Sequence, residues 1–495
     1  MRFIISVVPL MFGYSRFNFT KCAHRLRIAP EYTVRCWKVG KTLSMDLVAR
    51  PASAAPVLVS VALSSFMVAL DATALNVALP SIGRDLATGM DRLQWIAGAY
   101  TLVFASLLLS AGALSDRLGA RKVFLFALLV FTGASIACGS AHGVVELIAA
   151  RAVQGVGAAL MLPSSMALLV EAYPDPKARA KAVALWGGIS ALALVSGPLL
   201  GGVLVELVDW RSIFYLNVPF CLIALVCCAL RSSVIAIQPC SIDWTGQVLS
   251  ALALVSLIFA LIEGPVWGWE HAWVIATLLL ALISGVAFIY SQRRRREPML
   301  PLHLFESRTF SAAIGAGFLQ TLAYYGSLFV LPFALQGQGR TPVEIGVAMI
   351  PMTIATGVMA SLSGRLSNAF GARSVGVAGM FCGAFGAALL ALFGMESISL
   401  MLGGLLIGLG GATLPVIVGA CLASVPSGKI GVGSGVLNAA RQCGGVTGIA
   451  LLGATLEGSG RATGALSIIA LSFAAAAVLT VMRLYTDEVD VVSEC

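Results

Sequence analysis

From residue 57 to residue 483 the chain is a succession of long apolar runs cut by short polar loops. A helix needs about 20 mostly apolar residues to cross the hydrocarbon core of a bilayer. Fourteen stretches meet that demand: 57–78, 93–113, 122–140, 145–170, 181–207, 212–231, 244–263, 272–291, 309–335, 342–363, 374–394, 398–424, 431–456 and 464–483. The stretches 342–363 and 431–456 are the weakest, being rich in glycine and interrupted by polar side chains. The pattern predicts an all-α integral membrane protein, with helix boundaries good to a few residues.

Composition identifies the solvent. Of 495 residues, 59% are hydrophobic and 11% charged, whereas soluble domains carry roughly 25% charged residues. So few charges cannot clothe a globule of this size, and lipid must take the place of water around most of it. The 52 glycines fit that setting, because glycine lets membrane helices approach closely. The 11 cysteines fall mostly within apolar runs, without metal or disulfide spacing.

Loop charges give an orientation. Lys and Arg favour cytoplasmic loops. One set of alternating loops and span ends holds Arg117, Arg121, Lys122, Lys177, Arg179, Lys181, Arg231, Arg293 to Arg296, Arg308, Arg365, Arg373, Lys429 and Arg483; the other holds Arg84, Arg92, Arg211, Arg340 and Arg461. The split, about sixteen to five, predicts a multi-pass membrane protein with both termini cytoplasmic; a plasma membrane, the bacterial inner membrane, is the expected location. The run Arg293–Arg296 reads as an anchor on anionic lipid and not as a nucleic-acid site. Residues 1–44 carry eight Lys/Arg and no long apolar run, and Met45 would serve as an alternative start.

The resulting plan is a cytoplasmic extension without fold at 1–56 and a six-helix bundle at 57–231. An inserted helix pair with its cytoplasmic linker follows at 232–308, then a second six-helix bundle at 309–483 and a cytoplasmic tail at 484–495. A repeat supports the two bundles. Gly112-Ala-Leu-Ser-Asp116-Arg117-Leu-Gly119-Ala-Arg121-Lys122 and Gly364-Arg-Leu-Ser-Asn368-Ala-Phe-Gly371-Ala-Arg373-Ser share a Gly-x6-Gly-x-Arg spacing, 252 residues apart. Transporters are commonly built from repeated halves with the substrate site between them.

Ionisable groups inside the spans carry the candidate chemistry, because each costs about 2.5–3.5 kcal/mol to insert. Asp71 sits in mid-span. It is either a carboxyl that takes up a proton on one side and releases it on the other, or a structural group capped by Thr73 or Asn76. Arg151 cannot shed its proton and needs a carboxylate, carbonyls or water; Gln154 shares its helix face. A helix-packing clamp would explain it equally. Gly197 and Gly201 form a small-residue ridge, with Pro198 able to kink the span and Gly202 beside it. Asp116 among Arg117, Arg121 and Lys122 suggests a latch that closes in one conformation only; in the second copy Asn368 replaces the acid and Ala369 the base. Asn438, Arg441 and Gln442 form a polar cluster that must face the bundle interior. Asp243 and Glu263 stand at span ends.

These segments resemble the major facilitator superfamily, and within it the fourteen-helix drug:proton antiporter branch. The Gly112–Lys122 loop is similar to the cytoplasmic signature after the second span, and Leu70-Asp71-Ala-Thr73-Ala-Leu-Asn76-Val-Ala-Leu-Pro80 to that branch's first-span signature. Arg151-Ala-Val-Gln154-Gly155-Val-Gly157 resembles the fourth-span motif, and Gly197-Pro198-Leu-Leu-Gly201-Gly202 the fifth-span antiporter motif. Asp209-Trp210-Arg211 and Asn217-Val-Pro219 follow in order. The resemblance implies two six-helix bundles plus two inserted helices, and proton-coupled export of lipophilic or cationic small molecules. It further implies proton coupling at Asp71 and Arg151, a cytoplasmic gate at Gly112, Asp116, Arg117, Gly119 and Arg121, and cavity candidates at Asn76, Gln154, Asn438, Arg441 and Gln442. No phosphate-binding loop is present, since Ser427-Gly428-Lys429 continues into Ile430. No cofactor, metal or nucleic acid is expected; the partners are substrate, protons and the bilayer, and the chain is not expected to be an enzyme. A dedicated metabolite permease or symporter of the same fold, and a membrane sensor without transport, remain as alternatives.

Overall fold

In the computed structural model, residues 25–29, 32–39, 42–49, 54–230, 243–295, 298–426, 429–459 and 462–483 are described. The expected tail at 484–495 and the linker start at 232–242 lie outside them. The chain divides into Met1–Ala54 and Ala55–Cys495. In the first unit, expected to be without fold, β1 (Arg25–Ala29), β2 (Tyr32–Val39) and β3 (Thr42–Ala49) pair antiparallel in the order β1-β2-β3. Short connections suffice for antiparallel neighbours.

The second unit is helical, and its helices fall where the apolar runs predict them. They are α1 (Ala55–Asp85), α2 (Met90–Leu118), α3 (Ala120–Gly139), α4 (Val144–Ala172), α5 (Pro176–Leu207), α6 (Ser212–Ala229), α7 (Trp244–Trp267) and α8 (Ala272–Arg294). After them come α9 (Arg308–Gly337), α10 (Pro342–Phe370), α11 (Ala372–Phe393), α12 (Ser397–Ala423), α13 (Ile430–Ser459) and α14 (Ala462–Arg483). Among the described residues twelve are long and apolar enough to cross a membrane, and α2, bent by 59° near Leu108, makes up to thirteen. The helix α13 is long enough, at 30 residues, but Ser434, Asn438, Arg441 and Gln442 and its glycines dilute its apolar character.

Packing repeats across the halves. The helix α1 lies against α5 and α6 as α9 lies against α13 and α14; α4 packs on α2 and α3 as α12 packs on α10 and α11. The halves meet through α2 on α13 and, in the matching pair, α5 on α10. The inserted α7 leans on both α2 and α13, while α8 packs on α7 and is largely exposed.

We call the membrane face at which α1 begins the near face and the opposite one the far face. Contacts between halves gather towards the far face. Gln94 donates to the Ala450 carbonyl at 3.4 Å, and Val343 N–H donates to Glu206 Oε2 at 2.8 Å. A methyl group at Gly346 would lie 2.6 Å from the Pro198 carbonyl oxygen. Nearer the other face the helices stand clear, and a methyl group at Gly187, Gly188 or Gly364 would meet nothing within 4 Å. Among the described residues the close contacts between the halves thus lie towards the far face.

Candidate functional site

The polar centre of the first half is built on five helices. Two turns into α4, Arg151 donates from Nη1 to Asp71 Oδ2 on α1 at 2.5 Å and to Gln154 Oε1 at 2.7 Å. Gln154, three residues on, shares that face. Its Nε2 donates to Asp71 Oδ1 at 3.0 Å and to Ser135 Oγ on α3 at 3.1 Å. Asn217, at the break in α6, donates to the same Asp71 oxygen at 3.1 Å. The Arg151 Nε donates to the Ile96 carbonyl on α2 at 3.3 Å, and the guanidinium lies 4.4 Å over the Tyr100 ring. Glycines allow the approach: a methyl group at Gly155 would stand 2.5 Å from the Tyr100 carbonyl oxygen, and one at Gly157 2.8 Å from the Phe131 amide nitrogen.

Asp71 is 3% exposed and Arg151 1%. Two opposite charges held this far from water must satisfy one another and every remaining donor; the carboxylate here accepts from three side chains. Of the cluster, Asp71, Arg151 and Gln154 are expected from the sequence. Asn217, Ser135 and Tyr100 are not, although a polar residue in an apolar run is a signal for each. Neither of the expected caps serves Asp71. Thr73 donates to the Ala69 and Leu70 carbonyls, and Asn76 to the Ala72 carbonyl, all within α1. Arg151 forms its ion pair in the interior of the bundle.

The glycine ridge of α5 lies against the helix that carries Asp71. A Cβ at Gly197 would strike Thr73 Oγ1, and one at Gly201 would lie 2.8 Å from the Ala74 carbonyl oxygen. Gly202 faces the other way, onto the backbone of Pro342 in the second half. A single ridge thus touches both α1, just beyond its carboxyl, and the seam between halves.

At the near face the repeated loops share their geometry. Gly119 and Gly371 are one-residue joints with φ of +91° and +82°, a conformation that favours glycine. Arg121 donates to the Cys228 and Ala229 carbonyls at 3.3 and 2.9 Å, at the C-terminus of α6. Arg373 makes the same contact with the Val481 carbonyl at the end of α14. Cations are favoured at helix C-termini. Arg121 is therefore bound within its own half, while Asp116 and Arg117 are exposed and form no ion pair among the described residues. Gly112 has open space beside it.

Elsewhere the arrangement is as follows. On α13, Arg441 donates to Asn438 Oδ1 at 2.9 Å; Asn438, Arg441 and Gln442 are all half-buried. The two acids of the inserted pair are more deeply placed than span-end positions suggest. Glu263, 3% exposed, accepts from Trp95 Nε1 at 2.9 Å. Asp243 caps α7 through the Gly246 N–H and accepts from Gln292 and Arg295 at 2.7 and 3.0 Å.

The sequence profile of the Major Facilitator Superfamily matches residues 61–235 and 313–493. The chain belongs to this superfamily. Facilitators are membrane transporters and not enzymes, in keeping with the twofold packing described above. The chain is 36% identical over 404 residues to multidrug resistance protein Stp of Mycobacterium tuberculosis (strain ATCC 25618 / H37Rv), covering 81% of this chain and 75% of that protein. It is 36% identical over 408 residues to the tetracenomycin C resistance and export protein of Streptomyces glaucescens (80% and 75%). It is 33% identical over 407 residues to a methylenomycin A resistance protein of Bacillus subtilis (strain 168) (81% and 87%). A solved POT family transporter in complex with 5-aminolevulinic acid shares the facilitator fold, with a TM-score of 0.67 over 86% of this chain and 95% of that one, at 12% identity.

Proposed function

We propose that this facilitator is a proton-coupled exporter of small lipophilic or cationic drug-like compounds, of the fourteen-helix antiporter branch, in a bacterial plasma membrane with both termini cytoplasmic. The observation that carries the proposal is the Asp71–Arg151 pair, buried in α1 and α4 beside the Gly197–Gly202 ridge. The names of the relatives, resistance and export proteins, support the direction of transport.

On this reading the near face is cytoplasmic and the described state is open inwards. Protonation of Asp71 removes the charge that holds Arg151, Gln154 and Asn217. The side of α1 that carries Thr73 and Ala74 then shifts against Gly197 and Gly201, and α5 transmits that shift through Gly202 to Pro342 at the closed seam. Asp116 finds a partner only once the near face closes. Each pH unit across the membrane contributes about 1.4 kcal/mol per proton, and each 100 mV about 2.3 kcal/mol per charge, enough to drive one-for-one exchange.

A dedicated permease or symporter predicts uptake, and a sensor predicts no flux. Everted vesicles carrying the protein, loaded with a pH-sensitive dye and challenged with a panel of toxic compounds, separate the three. Antiport requires compound-dependent proton release, abolished by Asp71→Asn. Undiminished release in that variant excludes the coupling role.

A further inference from the structure

The second half contains a cation with no acid. Arg441 lies eleven residues into α13, about 17 Å from its near-face end, and forms no ion pair among the described residues. The side-chain oxygen of Asn438 takes one Nη, and Nε is buried with no hydrogen-bond partner. Arg151, the intramembrane arginine of the first half, is by contrast saturated by a carboxylate, an amide, a carbonyl and an aromatic ring.

Arg441 stands beside the seam between the halves. On α9, Gly317 leaves room for its stem, since a methyl group there would lie 3.4 Å from Arg441 Cγ. One turn further along the same face, a methyl group at Gly445 would lie 3.7 Å from Thr321 and from Tyr325 of α9 and 3.8 Å from Thr101 of α2 in the opposite half. A guanidinium cannot neutralise itself by losing a proton, and its planar fork matches a carboxylate or another oxyanion.

We propose that Arg441, with Asn438, is the subsite for an anionic group, a carboxylate or phenolate, of the transported compound. The proposal rests on the export reading and names its substrate class: amphiphiles with one acidic head, the apolar remainder lying against α2 and α9. Such a substrate suits the energetics, because an anion leaving and a proton entering both run with an inside-negative potential.

The test uses two xanthene dyes of similar size, anionic fluorescein and cationic rhodamine 123, whose binding to the full chain is read by fluorescence anisotropy in phosphatidylcholine nanodiscs. Losing a charge-assisted pair should weaken fluorescein binding by roughly 10- to 100-fold in Arg441→Gln. Arg441→Lys should keep most of it, and rhodamine 123 should not respond to either change. The proposal is overturned if wild type binds no fluorescein, if Arg441→Gln binds it as tightly as wild type, or if both dyes lose equally. Should phosphatidylglycerol in the disc abolish the Arg441-dependent binding, a lipid headgroup occupies the site and the proposal also fails. The wild-type comparison of the two dyes stands even if Arg441→Gln does not fold. Anion binding without proton-coupled flux in wild type would sink the export reading and leave this site intact.

Discussion

Neutralising Asp71 and Arg151 singly and together separates what the pair does for the fold from what it does for transport. At 2.5 Å and an effective dielectric constant near 20, the gross attraction is about 6–7 kcal/mol, most of it offsetting the removal of both ions from water. Removing one partner strands the other. Asp71→Asn leaves a guanidinium with a carbonyl, an amide and a ring, and Arg151→Gln leaves a carboxylate with two amides. Each should cost about 3–5 kcal/mol. The double variant strands neither charge, so its loss should be far smaller than the sum, giving a coupling energy of at least ~3 kcal/mol. The measurement is thermal unfolding of the four proteins in one detergent, followed by compound-dependent proton release in vesicles. All three variants should fail to exchange protons, including the double variant with restored stability. Additive losses of stability, or proton exchange in the double variant, would refute the reasoning.

Three further outcomes follow from local geometry. Gly201→Val places a branched side chain where even a methyl group is 2.8 Å from the Ala74 carbonyl oxygen; it should cost about 1–3 kcal/mol by overpacking and abolish export, measured as accumulation of a fluorescent compound in cells. Gly119→Ala and Gly371→Ala, at φ near +90° and +80°, should each cost about 1–3 kcal/mol of strain, read as equal falls in unfolding temperature that reflect the repeat. Burial pushes the Asp243 carboxyl up, but the donors Gln292, Gly246 N–H and Arg295 outweigh it and hold the group below the usual carboxylate range. A depressed acid contributes stability that is complete above its unfolded value and is lost as pH falls through the folded one. Asp243→Asn should therefore be less stable than wild type at pH 7, with the gap closing as pH falls below the usual carboxylate range, followed as unfolding temperature against pH.

The apolar runs alone placed the membrane helices, because a bilayer demands about 20 apolar residues whatever the helix touches. They also marked Asp71, Arg151 and Arg441 as exceptional, because an ion in lipid needs a reason to be there. Spacing alone linked Arg151 to Gln154 and Arg441 to Asn438, since residues three apart share a helix face. The repeat of Gly119 and Gly371 was equally open to reading, although their shared turn geometry was not.

Which charges meet was a matter for tertiary structure. Asp71 and Arg151 lie 80 residues apart, and Asn217 joins them from a third part of the chain. No local rule states that Thr73 and Asn76 turn back to their own helix while Asn217 reaches the carboxylate. The same holds for Arg121, which binds the carbonyls of α6 in place of a partner in the other half. Periodicity fixes the face on which a side chain stands; only packing fixes what stands opposite, and for a buried charge the opposite group decides whether it is satisfied, as in Arg151, or left with donors to spare, as in Arg441.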